Sequence, residues 1–85
     1  MDKKLEPIIK ALVGITEDRT VPRNIKRVVE EAKISLEDKK SDIDIRLSSA
    51  ISNLDEIIND PNMPMYTRTQ IWNVVTMLEN IRKEI

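Results

Sequence analysis

Apolar residues recur at helical spacing in four blocks along the 85-residue chain. The first is Leu5, Ile8, Ile9, Leu12 and Ile15, fading around Gly14 to Thr16. The second, Ile25, Val28, Val29, Ala32 and Leu36, is entered through "TVPR" with Pro22 in its first turn, where the missing N–H costs little. Ile43, Leu47, Ala50, Ile51, Leu54, Ile57 and Ile58 make the third. The fourth runs from Pro64 through Ile71, Val74, Val75, Leu78, Ile81 and Ile85. A period near 3.6 predicts four amphipathic helices, and no stretch alternates as a strand would. Ser41 is the expected N-cap of the third helix, with Asp42 and Asp44 suited to the positive end of its dipole.

The connections "EDRT", "DKKS" and "DPNM" are short enough to force successive helices antiparallel. This predicts an all-α, up-down-up-down four-helix bundle occupying residues 1–85 as one domain. Displacing the chain against itself by 42 positions places Leu5, Ile9, Leu12, Ile15, Asp18, Pro22, Leu36 and Glu37 on Leu47, Ile51, Leu54, Ile57, Asp60, Pro64, Leu78 and Glu79. Lys26 falls on Arg68. The apolar coincidences are cheap, but the shared Asp, Pro and basic residue at four-residue steps mark one turn used twice. In both turns Thr20 and Asn62 are expected to cap the following helix. A 42-residue period also lies in the range of HEAT and armadillo repeats, so an open, HEAT-like pair of hairpins is the alternative architecture.

Composition narrows the functional classes. There is no Phe, so Ile, Leu, Val and Met must build the core. Without cysteine there is no disulfide, thiolate metal site or cysteine nucleophile, which fits a cytoplasmic protein. No apolar run reaches the roughly 18 residues that span a bilayer, and the opening "MDKKLEPIIK" carries no signal-peptide core. Histidine is absent too, removing the commonest general base, and the single glycine, Gly14, cannot form a phosphate loop. Enzymatic activity and bound cofactors are therefore not expected. Glu56 and Asp60 form the best carboxylate pair, but "DPNMPM" breaks a calcium-loop pattern with Pro64 and Met65, so no metal is expected.

Net charge is −1, which gives the chain as a whole no footprint for nucleic acid. Locally the picture differs. Arg23, Lys26 and Arg27 crowd the start of the second helix, where positive charge opposes the dipole. They form a candidate anion-binding cluster, and the plainer explanation is compensation of Lys26 and Arg27 by Glu30 and Glu31 four residues on. Ile34 and Ile45 point away from their own stripes. Trp72 and Met77 flank the stripe of the fourth helix, where a core-edge position is the default for a tryptophan. Ile34, Tyr66, Trp72 and Met77 are the candidate interaction surface, and the fourth helix has the broadest apolar face.

Residues 41–75, "SDIDIRLSSAISNLDEIINDPNMPMYTRTQIWNVV", resemble an archaeal family of small helical proteins known only as uncharacterised protein family number 0147. The specific part is "NDPNMPMYTRTQIW", and the likeness extends over nearly the whole chain. The resemblance implies an archaeal source and a four-helix bundle, and brings no activity, substrate or site residue. Two functional readings follow from the residues themselves. One is a non-enzymatic adaptor that presents a helix face to a protein partner or to a second copy as a homodimer. The other is RNA or ribonucleoprotein association through Arg19, Arg23, Lys26 and Arg27, with Tyr66 available for stacking.

Overall fold

A computed structural model describes residues 2–85 and contains four helices, α1 (Asp2–Thr16), α2 (Arg23–Glu37), α3 (Ile43–Ile57) and α4 (Met65–Lys83). Among the described residues there is no strand. Each helix buries most of the stripe that its periodicity defines, such as Leu5, Ile8, Leu12 and Ile15 on α1 and Ile71, Val74, Leu78 and Ile81 on α4; Ile9, Ile43, Ile58 and Val75 are only half-buried, and Ile85, expected to close the fourth stripe, lies exposed beyond the end of α4. The buried side chains of α1 and α4 join those of α2 and α3 in one hydrophobic cluster, with Val21 and Met63 from the turns packed into it. Each fully buried Leu or Ile contributes about 1.5–3 kcal/mol relative to exposure.

The helices pack in a ring: α1 on α2, α2 on α3, α3 on α4, and α4 back on α1; among the described residues the diagonal pairs do not approach closely along their backbones, and Arg46 of α3 reaches Asp2 of α1 across one diagonal. Closure of α1 on α4 distinguishes a bundle from the open, HEAT-like pair, which is thereby excluded. The radius of gyration, 12.0 Å, matches the roughly 12 Å expected of a compact chain of this length. The 42-residue displacement carries α1 onto α3 and α2 onto α4, so the ring has an approximate two-fold symmetry relating its hairpins.

The helix ends differ in detail from expectation. Pro22, Asp42 and Pro64 occupy the N-cap positions, and none of the three caps with a side-chain hydrogen bond. Ser41 lies before the cap and donates its hydroxyl to Asp38 at 2.9 Å. Thr20 and Asn62 do not cap the helices that follow. Instead the Asp18 and Asp60 carboxylates accept their backbone N–H groups, each at 2.8 Å. Aspartate ordering the amide two residues ahead is an Asx turn, which competes with capping for the same local polar groups. Each turn then delivers a proline with extended backbone to the helix start, where it lacks only an N–H that would be unsatisfied anyway.

Carbonyls at the helix C-termini are met by arginine. Arg46, only 8% exposed, donates Nε to the Leu36 carbonyl at the end of α2 at 3.0 Å, and its Nη2 bonds the same oxygen and Asp2 at 3.2 Å. Arg68 donates Nη1 to the Ile58 carbonyl and Nη2 to that of Asp60 at 2.7 Å. In both cases the arginine reaches a carbonyl ten residues back, bringing positive charge to the negative end of the preceding helix.

Among the described residues one buried side-chain polar group is unmatched. Thr67 is 1% exposed and its hydroxyl has no hydrogen-bond partner, whereas the two-fold-related position is the core residue Ile25. Replacing that hydroxyl with a methyl in Thr67→Val is expected to stabilise the fold by about 1 kcal/mol, read as an upward shift of the urea midpoint. Arg46→Lys is expected to cost about 1.5–3 kcal/mol in the same assay, because an ammonium cannot reproduce the guanidinium's forked donation from a buried position.

Candidate interaction surface

The two-fold relation of α2 to α4 gives an internal control for their outward faces. Arg23, Arg27, Glu30, Glu31 and Ile34 on α2 correspond to Met65, Thr69, Trp72, Asn73 and Thr76 on α4. All five α4 residues are exposed. From Met65 through Leu78 the only charged residue is Arg68, and its guanidinium is bonded to carbonyls at the end of α3. In a chain with 34% charged residues, one helix thus turns an uncharged face to solvent.

That face is also large in apolar area. Met65 is 77% exposed, Tyr66 68% and Trp72 61%. Met65, Thr69, Trp72 and Thr76 follow the i, i+4, i+7, i+11 spacing of a single helix face, with Tyr66 and Asn73 along its flank. Trp72 therefore lies outside the core rather than at its edge. Met77 is the least exposed of the apolar residues on α4's outer side and stands beyond Asn73, away from Trp72. Ile34 is exposed, but α2 does not touch α4, so it belongs to a different side of the ring from Tyr66, Trp72 and Met77. Ile45, exposed on α3, is likewise separate.

The basic start of α2 is partly compensated. Arg27 pairs with Glu31 at 3.2 Å, as the four-residue spacing predicts. Glu30 pairs with Lys33 at 3.6 Å rather than with Lys26, and Lys33 also reaches Glu37 at 3.4 Å. Arg19, Arg23 and Lys26 form no ion pair among the described residues. Asn24 turns the other way, donating Nδ2 to Asp60 at 3.2 Å and tying the start of α2 to the Asx turn between α3 and α4. Asp60 is thus engaged with Asn24 and Asn62, and among the described residues no three acidic side chains converge as metal ligands.

The model of an uncharacterised protein family, UPF0147, matches residues 1–81. A UPF0147 protein of Archaeoglobus fulgidus is 44% identical over 82 residues, covering 96% of this chain and 93% of its own. One from Methanocaldococcus jannaschii is 44% identical over 85 residues, covering 95% and 91%. The crystal structure of a family protein from Thermoplasma acidophilum superposes with a TM-score of 0.88 at 30% identity, over 94% of both chains. That of a second protein, of unknown function, gives 0.88 at 46% identity over 92% of this chain and 89% of its own. These relatives fix the fold, and none brings an activity.

The turn preceding the basic cluster has a titration signature. The Thr20 hydroxyl donates to Asp18 at 2.7 Å and, with the Thr20 amide, holds the Asp18 carboxyl below its usual value; Lys26 adds to this, against slight desolvation. A depressed carboxyl pKa stabilises the folded turn above the unfolded value near ~4, and this contribution is lost as pH falls through the folded value. Thr20→Ala is expected to return Asp18 towards the ordinary carboxylate range, as followed by NMR titration of its side-chain carbon.

Proposed function

This chain belongs to the uncharacterised protein family UPF0147, and from that premise we propose that it is a non-enzymatic interaction module, a single four-helix unit of the cytoplasm that presents the outward face of α4 to a protein partner. One observation carries the reading. Where α2 has Arg23, Arg27, Glu30 and Glu31, the two-fold-related α4 has Met65, Thr69, Trp72 and Asn73. Exposed charge favours solubility and suppresses casual association, whereas a large uncharged patch with an exposed tryptophan has the composition of an interface centre. The absence of histidine and cysteine adds to this, because the commonest acid, base and nucleophile are missing.

A second reading, association with RNA or a ribonucleoprotein, is supported by Arg19, Arg23 and Lys26, none of which forms an ion pair among the described residues. They lie at the end of the bundle where α4 begins with Met65 and Tyr66. Counterion release makes such binding fall steeply with salt.

Pull-down of the tagged chain from archaeal extract separates the two. The interaction-module reading expects a defined protein that survives nuclease, is lost with Trp72→Glu and is retained with Ile34→Glu. Recovery that vanishes with nuclease or salt, falls with Arg23→Ala and ignores Trp72→Glu would transfer the function to the basic cluster.

A further inference from the structure

We propose that the partner of the α4 face is a second copy of this chain, docked antiparallel about a two-fold axis that crosses α4 between positions 70 and 71. The proposal rests on the interaction-module reading and adds the identity of the partner. Large and small residues alternate along the face as Met65, Thr69, Trp72 and Thr76. An axis at that point sets Met65 opposite Thr76 of the second copy, and Trp72 opposite Thr69. Every contact in a two-fold interface occurs twice, so one large-over-small match becomes two. A parallel pairing in register would set Trp72 against Trp72 and Thr69 against Thr69, leaving a clash beside a void.

Charge and polarity fit the same partner. The second copy also lacks charge from Met65 to Leu78 apart from the engaged Arg68, so docking strands no ion. Thr69 already donates its hydroxyl to the Met65 carbonyl at 3.2 Å, so covering it orphans no donor. The face runs about 17 Å from Met65 to Thr76. With Met65, Tyr66 and Trp72 each largely exposed, and the intervening Thr and Asn side chains, it offers on the order of 600 Å² per copy, against about 800 Å² in a standard stable interface. An interface below the standard size belongs to a reversible dimer rather than an obligate one.

Trp72 is the only tryptophan and the chain has no cysteine, so association can be read without interference. Sedimentation of the purified full chain from about 1 μM to 1 mM should show monomer passing to dimer, with Trp72 emission moving to shorter wavelength over the same range. Thr76→Arg, at an exposed site, should abolish both changes while leaving the thermal midpoint of dilute, monomeric protein in place. Oxidation of Met65→Cys mixed with Thr76→Cys should give the cross-linked heterodimer in excess over either variant alone. A monomer throughout, a dimer indifferent to Thr76→Arg, or cross-linking confined to Met65→Cys alone would each overturn the proposal. A monomer that still captures a Trp72-dependent protein from extract would overturn only the second-copy assignment, and a monomer that captures nothing would remove the module reading with it.

Discussion

A core without a single aromatic ring governs how this bundle is built. Leu, Ile, Val and Ala, with one Met from a turn, supply every buried apolar side chain among the described residues. Such side chains fill space only if the helices approach closely and in register, since no large flat group bridges a loose interface. Helices of 15 residues cannot be stable alone in water, so the packed stripe must hold each of them. Tight, well-placed turns are the corollary. Val21 and Met63 seal one end of the core beside the two Asx turns, and Asp18 and Asp60 fix where those turns fall.

Two arginines complete the same design at the C-terminal ends of α2 and α3. A helix ending beside a short turn leaves several carbonyls without partners, in a place that neighbouring chain partly shields from water. Arg46 and Arg68 reach back to these carbonyls from the first turns of α3 and α4, fixing each helix to the one before it. Lys26, the two-fold equivalent of Arg68, makes no such bond among the described residues. An ammonium lacks the guanidinium's planar fork and answers with a Coulombic effect on Asp18 instead.

Much of this was legible in the residues. The four helices, their stripes and the repeated turn follow from period and spacing, because burial of one face is the strongest demand on a short helix. The caps were not legible, since Ser41, Thr20 and Asn62 are good N-cap residues in isolation. Each sits two or three positions after an aspartate that takes its polar group first. Arg46 and Arg68 resemble surface charges in the sequence, and their role follows only from the carbonyl that each bonds ten residues back, beside the end of the preceding helix. Trp72 was hard to place for a related reason: α4 has so few charges that its stripe has no sharp edge, and a ring of four helices leaves room inside for only one side of each. What the residues alone leave unmarked is the contrast between the uncharged outer face of α4 and the charged one of α2, which rests on the two-fold relation between the two helices.

The ring also fixes how the chain can reach it. Three of its four helix contacts join sequence neighbours across turns of five to seven residues, so they form with little loss of chain entropy. Only the seam between α1 and α4, carrying the Lys4 to Glu84 ion pair, must close across nearly the whole sequence. Low contact order of this kind belongs to chains that fold in microseconds to milliseconds, and here a single long-range closure separates a string of hairpins from the finished bundle.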